Sequence, residues 1–308
     1  AIMSVAVSCS LKEEPTSFVN KHNFYQTVDQ CYAVLNSCYA PLNSIYMADF
    51  MIATEACTDL WFSNSSAGDA TLDVNPAKPQ VGSKVWENCY KGVMYCNEAI
   101  ANIDRSPLEE SVKKPLAAEG RVLRAMYYYL LTSMFDGVPY YTCMVDSYQV
   151  QDSIRVLPRT PADTVRARLY ADLRDNAIPY FTEENGLKVR GGDAVNNRSG
   201  YAHGLMLMAK CAMWNACSQE LDAPKDAAYS KKWFENALVP LDALEELPEE
   251  YEKYLARSAN WQNVWNRELE SEGFYGFPQK PEHDGSFADG FDAHTGYNTH
   301  FYEATAWD

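Results

Sequence analysis

Basic residues are the scarce class in this chain of 308 residues: 26 Lys and Arg stand against 42 Asp and Glu, a formal net charge of −16. A phosphate-binding surface needs clustered Lys and Arg, so nucleic acid is excluded as the main partner. The same shortage excludes docking on anionic lipid through a basic patch. No apolar run reaches the ~18 residues of a membrane-spanning helix. No CxxC pair is present, which leaves a zinc ribbon or a thioredoxin-like redox site without support. HExxH, DxDxDG and GxSxG are also missing, so metalloprotease, calcium-loop and serine-hydrolase signatures do not arise. With 42 acids, pairs of carboxylates at a glycosidase spacing occur by chance and carry no signal.

What is present is an apolar fraction of 47%, enough for a packed core, and aromatics at 13%, with 21 Tyr. Tyr suits seams where one end of the ring packs and the other meets a polar partner. Most of these rings are expected between helices, and the rest on a surface for flat ligands such as sugars.

Helical periodicity dominates the body of the chain. Phe24, Val28, Cys31, Leu35 and Cys38 recur at helical spacing, as do Trp86, Cys89, Tyr90, Val93, Asn97, Ile100 and Ile103. Pro115 is read as opening a third helix, which Gly137 and Pro139 stop. Thr160-Pro161-Ala162-Asp163 reads as a helix start with Thr160 as N-cap. Further stripes run through Val165, Leu169 and Leu173, through Tyr201, Leu205, Met208, Ala212 and Asn215, and through Trp233, Ala237, Leu241 and Leu244. Pro240 falls inside the last and is expected to kink it.

The pairs 86–104 with 115–135 and 161–179 with 199–217 predict a mainly α fold of degenerate tetratricopeptide-like helix pairs, an α-α superhelix with long irregular ligand-binding loops. The helical repeats are placed at 86–250 and the irregular loops at 45–83 and 258–308. Val138–Thr142 is expected to be extended and packed on the helical body. Arg121 and Arg124, on one helix with Glu119, are expected to hold helix layers through charge-assisted bonds.

Nine Cys occur. Cys31/Cys38 and Cys89/Cys96 each lie two helical turns apart, ~10 Å, too far to bridge within a helix. Buried free thiols are the expectation. Trp261 and Trp265 are four apart and would share a helical face in a packing role. His283, His294 and His300 lie among Asp284, Asp289 and Asp292 without ligand spacing, so no metal site is assigned.

The start, Ala1 to Ser8, reads as the remnant of a signal peptide. Ala6-Val7-Ser8-Cys9 resembles a loose bacterial lipobox, with Cys9 as the lipidated residue of a linker over 9–22. Ser10-Leu11-Lys12-Glu13-Glu14 resembles the surface-export signal of Bacteroidetes lipoproteins.

Ala118-Glu119-Gly120-Arg121-Val122-Leu123-Arg124-Ala125-Met126-Tyr127-Tyr128-Tyr129-Leu130 resembles the central motif of the SusD/RagB family, an acid followed by F/L-R-A-x-Y-Y-Y/F. Phe135-Asp136-Gly137-Val138-Pro139-Tyr140 is similar to its F-G-D-V-P-L/Y run, with Gly and Asp exchanged. Arg159-Thr160-Pro161 followed by Tyr170-Ala171-Asp172-Leu173 resembles the next element, and Cys9 through Pro15 the lipid Cys with its E-x-P.

The resemblance implies a single SusD-like domain over 23–308 in a protein that stops part-way through the family's length. It implies a surface-exposed lipoprotein on the outer membrane of the cell, held by its lipid anchor. The partner would be a SusC-like TonB-dependent transporter, and the ligand a glycan, or a peptide in some members. Neither catalysis nor a cofactor is implied. The family's loop contacts fall on Asp59, Trp61 and Asn64, where Trp61 would stack on a sugar face and Asp59 or Asn64 bond hydroxyls. Tyr297 and Trp307 are further candidates. The alternative is a helical-repeat surface lipoprotein that binds a peptide or protein and no sugar.

Overall fold

A computed structural model describes residues 24–55, 82–185, 187–188, 198–217, 227–247, 265–271 and 274–278. The chain divides into two units, 1–242 and 243–308.

In the first unit, helix α1 (Val28–Ser44) opens on a capping box. The Thr27 hydroxyl accepts from the Gln30 N–H, and the Gln30 side chain returns the bond to the Thr27 N–H. Its stripe of Cys31, Leu35 and Cys38 is fully buried. Phe24 lies before the helix, in a bend. The chain continues through a π-helical turn (Ile45–Asp49) into α2 (Phe50–Glu55). Residues 45–55 are therefore helical, where the sequence led us to expect irregular loop. The Phe50 N–H reaches back to the Ile45 carbonyl, and the widened turn lets the helix continue past the change of register.

Helix α3 (Ser83–Arg105) and helix α4 (Glu110–Phe135) form the first antiparallel pair, with α1 packed on both. Gly92 permits their close approach, because a Cβ there would fall inside the Tyr127 ring. Pro115 does not open α4: the helix begins five residues earlier, at Glu110. Glu109 accepts from the N–H groups of Val112 and Lys113, and Glu110 pairs with Lys113 and Lys114, so a turn is secured before the proline. Pro115 then costs one helical bond and buries its ring.

After α4 the chain runs as a strap over 137–147 into a short helix, α5 (Tyr148–Arg155), none of whose residues is fully buried. Helix α6 (Ala162–Asn176), a 3₁₀ turn (Ile178–Tyr180) and helix α7 (Tyr201–Cys217) make the second pair, with α6 packed on α4. Pro161 rather than Thr160 is the N-cap of α6. The reason is that Thr160 is engaged elsewhere: its N–H and C=O pair with Val138 at 2.9 and 3.0 Å.

Helix α8 (Ala227–Glu245) contains Pro240 and buries Trp233, Ala237 and Pro240. Leu241, expected inside, is 37% exposed. Tyr170 of α6 ties α8 down through a 2.8 Å bond to the Asn236 carbonyl and an edge contact with Trp233.

The mainly α architecture of paired helices is thus the one the periodicity predicts. Cys31, Cys38, Cys89, Cys96 and Cys211 are free and buried, whereas Cys143 and Cys217 are free and exposed.

The second unit contains an antiparallel hairpin, β1 (Trp265–Ser271) with β2 (Phe274–Pro278), pairing Trp265 with Pro278 and Ser271 with Phe274. Residues 265–271 and 274–278 are thus strands where the sequence led us to expect irregular loop, and Trp265 is not on the helical face expected for Trp261 and Trp265; the rest of 258–308 lies outside the described residues. Trp265 lies on a strand, and Trp261 is outside the described residues. Among the described residues no helix is long and apolar enough to cross a membrane.

Candidate functional site

Two polar networks fix the helix pairs. In the first, Arg121 and Arg124 of α4 both reach Asp172 of α6, at 2.8 and 2.7 Å on its two carboxylate oxygens. Arg124, 3% exposed, also donates to the Asn97 side chain of α3 at 2.8 Å. A buried guanidinium with partners on two other helices satisfies its charge and sets three helices in one register. This is the layer-holding role expected of the pair.

The strap closes over this network. Tyr90 donates to the Pro139 carbonyl at 2.8 Å, and Tyr128 donates to the Tyr141 carbonyl at 2.7 Å. The Tyr141 N–H in turn reaches the Tyr128 hydroxyl at 3.0 Å. Burial raises the pKa of Tyr90 and of Tyr128 above the usual phenol range, which keeps both as neutral donors. Arg159 adds bonds to the carbonyls of Phe135 and Gly137 and lies over the Trp86 ring.

The second network centres on Glu119, 1% exposed. It accepts from Tyr39 of α1 at 2.7 Å and from the Arg198 Nε at 2.8 and 3.1 Å. Tyr39 also receives the Ser199 N–H at 2.7 Å, and Arg198 lies over the Tyr32 ring. Just inside α7, His203 Nδ1 is 2.9 Å from the Ser199 Oγ, and burial pushes its imidazole down to about 4. Beside Glu119 is a cavity of about 240 Å³, bordered by Tyr32, Pro115, Leu116 and Leu187. These groups are committed to one another and hold α1, α4 and α7 together.

The aromatic hollow with solvent access lies elsewhere, between α4 and α7. It measures about 380 Å³ and is lined by Tyr129, Lys210, Met213, Trp214 and Cys217. Trp214 is 38% exposed. One face of its indole covers the buried Arg166 guanidinium, 4.8 Å from the ring centre, and Tyr129 meets it edge-on. Arg166 is held by the Thr132 carbonyl and the Asn215 side chain. An open groove of about 750 Å³ continues between Met213 and Phe234, Leu238 and Leu241 of α8. Sequence reasoning missed this hollow, because Trp214 falls one residue outside the stripe ending at Asn215 and reads as plain surface. Its signal was the adjacent pair Met213-Trp214 on the polar side of an apolar helix.

Of the residues selected from sequence, Cys9, Asp59, Trp61, Asn64, Tyr297 and Trp307 lie outside the described residues, as do His283, His294 and His300. Among the described residues there is no group of three or more His, Cys, Asp or Glu able to hold a metal ion.

The paired-helix fold agrees with comparisons to known proteins. The sequence model of a SusD-like family, described as starch-binding and associating with the outer membrane, matches residues 11–177. This chain belongs to the SusD-like family. SusD-like protein P25 of Formosa agariphila is 30% identical over 112 residues, 36% of this chain and 20% of that protein. A SusD homologue from Bacteroides thetaiotaomicron superposes with a TM-score of 0.55 at 20% identity, over 73% of this chain and 48% of that one. Surface glycan-binding protein A from Bacteroides uniformis gives 0.53 at 22% identity, over 72% of this chain and 47% of that one. At such identities the likeness to solved structures shows the fold. The SusD-like chain spans 20% of its curated relative and less than half of these solved relatives.

A second sequence model, described as the catalytic domain of glycosyl hydrolase family 92, matches residues 137–308. Residues 137–177 fall in both matches. There they form the strap, α5 and α6, and α6 packs on α4 and α7.

Proposed function

We propose that this SusD-like protein binds glycans at the cell surface, held to the outer membrane by a lipid on Cys9, and passes them to a SusC-like TonB-dependent transporter without acting on them chemically. The observation that supports the reading is the family match over residues 11–177, with its description as starch-binding and outer-membrane-associated. A laminarin-binding SusD-like protein shares the fold, with a TM-score of 0.54 at 18% identity over 70% of this chain and 43% of that one.

The chemistry is that of a neutral polyol. Trp61 offers an aromatic face to the apolar C–H side of a sugar, and Asp59 and Asn64 offer partners for hydroxyls. Tyr297 and Trp307 add rings of the same kind. The helix pairs, fixed by Arg124 and Glu119, are the rigid support that such loops need.

Affinity gels cast with neutral polysaccharides test the reading. The protein should be retarded by at least one of them, and Trp61→Ala should remove most of that retardation while Trp214→Ala keeps it. No retardation by any polysaccharide, with binding of peptides instead, would overturn the glycan assignment. The family 92 match favours a second reading, hydrolysis of a glycosidic bond. Release of new reducing ends from a retarding polysaccharide by purified protein would establish that reading in place of simple capture.

A further inference from the structure

The hollow between α4 and α7 combines rings with positive charge. None of its described lining residues, Tyr129, Lys210, Met213, Trp214 and Cys217, is acidic, although the chain has 42 acids against 26 bases. Lys210 brings an ammonium to the wall, 5.8 Å from the centre of the Tyr129 ring. A second cation, Arg166, lies behind Trp214 and is only 3% exposed. Its guanidinium bonds neutral acceptors alone, the Thr132 carbonyl at 3.1 Å and the Asn215 side chain at 3.4 Å. Its Nε is buried with no hydrogen-bond partner among the described residues, and no ion pair is formed there. A buried guanidinium without a paired carboxylate leaves positive potential at the hollow that an anion would offset.

The rings narrow the choice of anion. An aromatic face is negative and attracts cations and C–H groups. With the Arg166 guanidinium 4.8 Å from its centre, the Trp214 indole already has a positive group on one face. That charge draws ring density toward itself, so the other side offers less to a sugar C–H and more to a second π-face. Tyr129 meets Trp214 at an interplanar angle of 81°, which makes a corner of two rings. A flat ring can stack on one of them and take the edge of the other. We infer that this hollow binds a small planar aromatic carboxylate, its ring in the Trp214–Tyr129 corner beside the Met213 thioether and its carboxylate on Lys210. The volume of about 380 Å³ falls in the range of small-ligand pockets, about 300–1,000 Å³. A single charge is drawn to Lys210 at contact distance, whereas the −16 of the whole chain repels a polyanion over its length.

The experiment uses the full chain and two of its own thiols. Cys217 lines the hollow and Cys143 lies on the strap, and both are free and exposed. Their rates of alkylation by N-ethylmaleimide are read by peptide mass in the presence of 4-hydroxycinnamate, indole-3-acetate or benzoate. At least one of these acids should slow Cys217 saturably, by about tenfold at ten times its dissociation constant, and leave Cys143 unchanged. Cyclohexanecarboxylate keeps the charge without the flat ring, and 4-hydroxycinnamyl alcohol keeps the ring without the charge. Each should need a concentration at least about threefold higher for the same protection. Trp214→Ala should raise the dissociation constant about tenfold or more. Lys210→Gln should raise it about threefold to fivefold and remove its salt dependence, which Lys210→Arg keeps. Absence of protection by all three acids, equal protection by the saturated acid or the alcohol, equal slowing of Cys143, or unchanged affinity in Trp214→Ala or in Lys210→Gln would overturn the inference.

Discussion

Asp136 sits where an L-residue is strained. It ends α4 with φ 57° and ψ −129°, a backbone conformation that glycine adopts freely and other residues rarely do. The next residue, Gly137, is needed for a different reason: a Cβ there would come 2.9 Å from the Thr160 carbonyl oxygen, which the strap pairing holds in place. The Phe135-Asp136-Gly137 order exchanges the Gly and Asp of the family run and so puts the acid in the left-handed position. Relieving that strain is worth about 1–3 kcal/mol. A glycine adds unfolded-chain freedom that costs about 0.5–1 kcal/mol. The first term is the larger, so Asp136→Gly is expected to stabilise the protein by about 1 kcal/mol, read as a higher denaturant midpoint with an unchanged slope. A lower midpoint would show that the Asp136 side chain stabilises the strap in a way its exposed position does not suggest. The exchange is visible in the sequence, but the sign of φ is not, because it depends on how Arg159 and Thr160 draw the strap across the end of α4.

At the scale of elements, the stripes through Cys89, Val93, Asn97, Ile100 and Ile103, and through Leu205, Met208, Ala212 and Asn215, were legible because α3 and α7 bury those faces. Helix ends were not. Thr160 has the right chemistry for an N-cap, yet a tertiary partner, Val138, claims its backbone. Pro115 looks like a first-turn residue, yet the Glu109 carbonyl secures an earlier turn. Helix α5 was not read from the sequence, and none of its residues is fully buried. The network at the start of α7 was equally hidden, since Glu119, Tyr39, Arg198 and His203 come from distant parts of the chain. His203 gives this element a pH dependence. Burial lowers its imidazole from about 6.5 to about 4, with Lys210 adding to the effect. Below pH 6.5 the unfolded chain takes up a proton that the folded protein refuses. This group's contribution to stability is therefore complete above pH 6.5 and is lost as pH falls toward 4, by up to about 3 kcal/mol. Thermal melts across that window should show the decline, and His203→Gln should flatten part of it. An identical decline in the variant would assign the effect to the carboxylates instead.

For the molecule as a whole, the net charge of −16 selects among ligands that aromatic rings alone do not distinguish. The sugar platform proposed at Trp61 would accept the apolar face of neutral and acidic saccharides alike. The difference lies in the field around the protein: an acidic surface repels a polyanion over a Debye length of about 10 Å at 0.1 M salt, and farther when salt is removed. A neutral glucan feels none of this. Retardation by neutral polysaccharide is accordingly expected to change by less than about twofold between ~20 and ~200 mM salt. An acidic polysaccharide of similar backbone should bind weakly or not at all at the lower salt, and no better than the neutral one at the higher. Affinity gels run at both ionic strengths measure this directly. Strong retention of the acidic polymer that weakens as salt is added would mean that a local cluster of Lys and Arg overrides the global charge. The ligand class would then have to be sought around such a cluster rather than around Trp61.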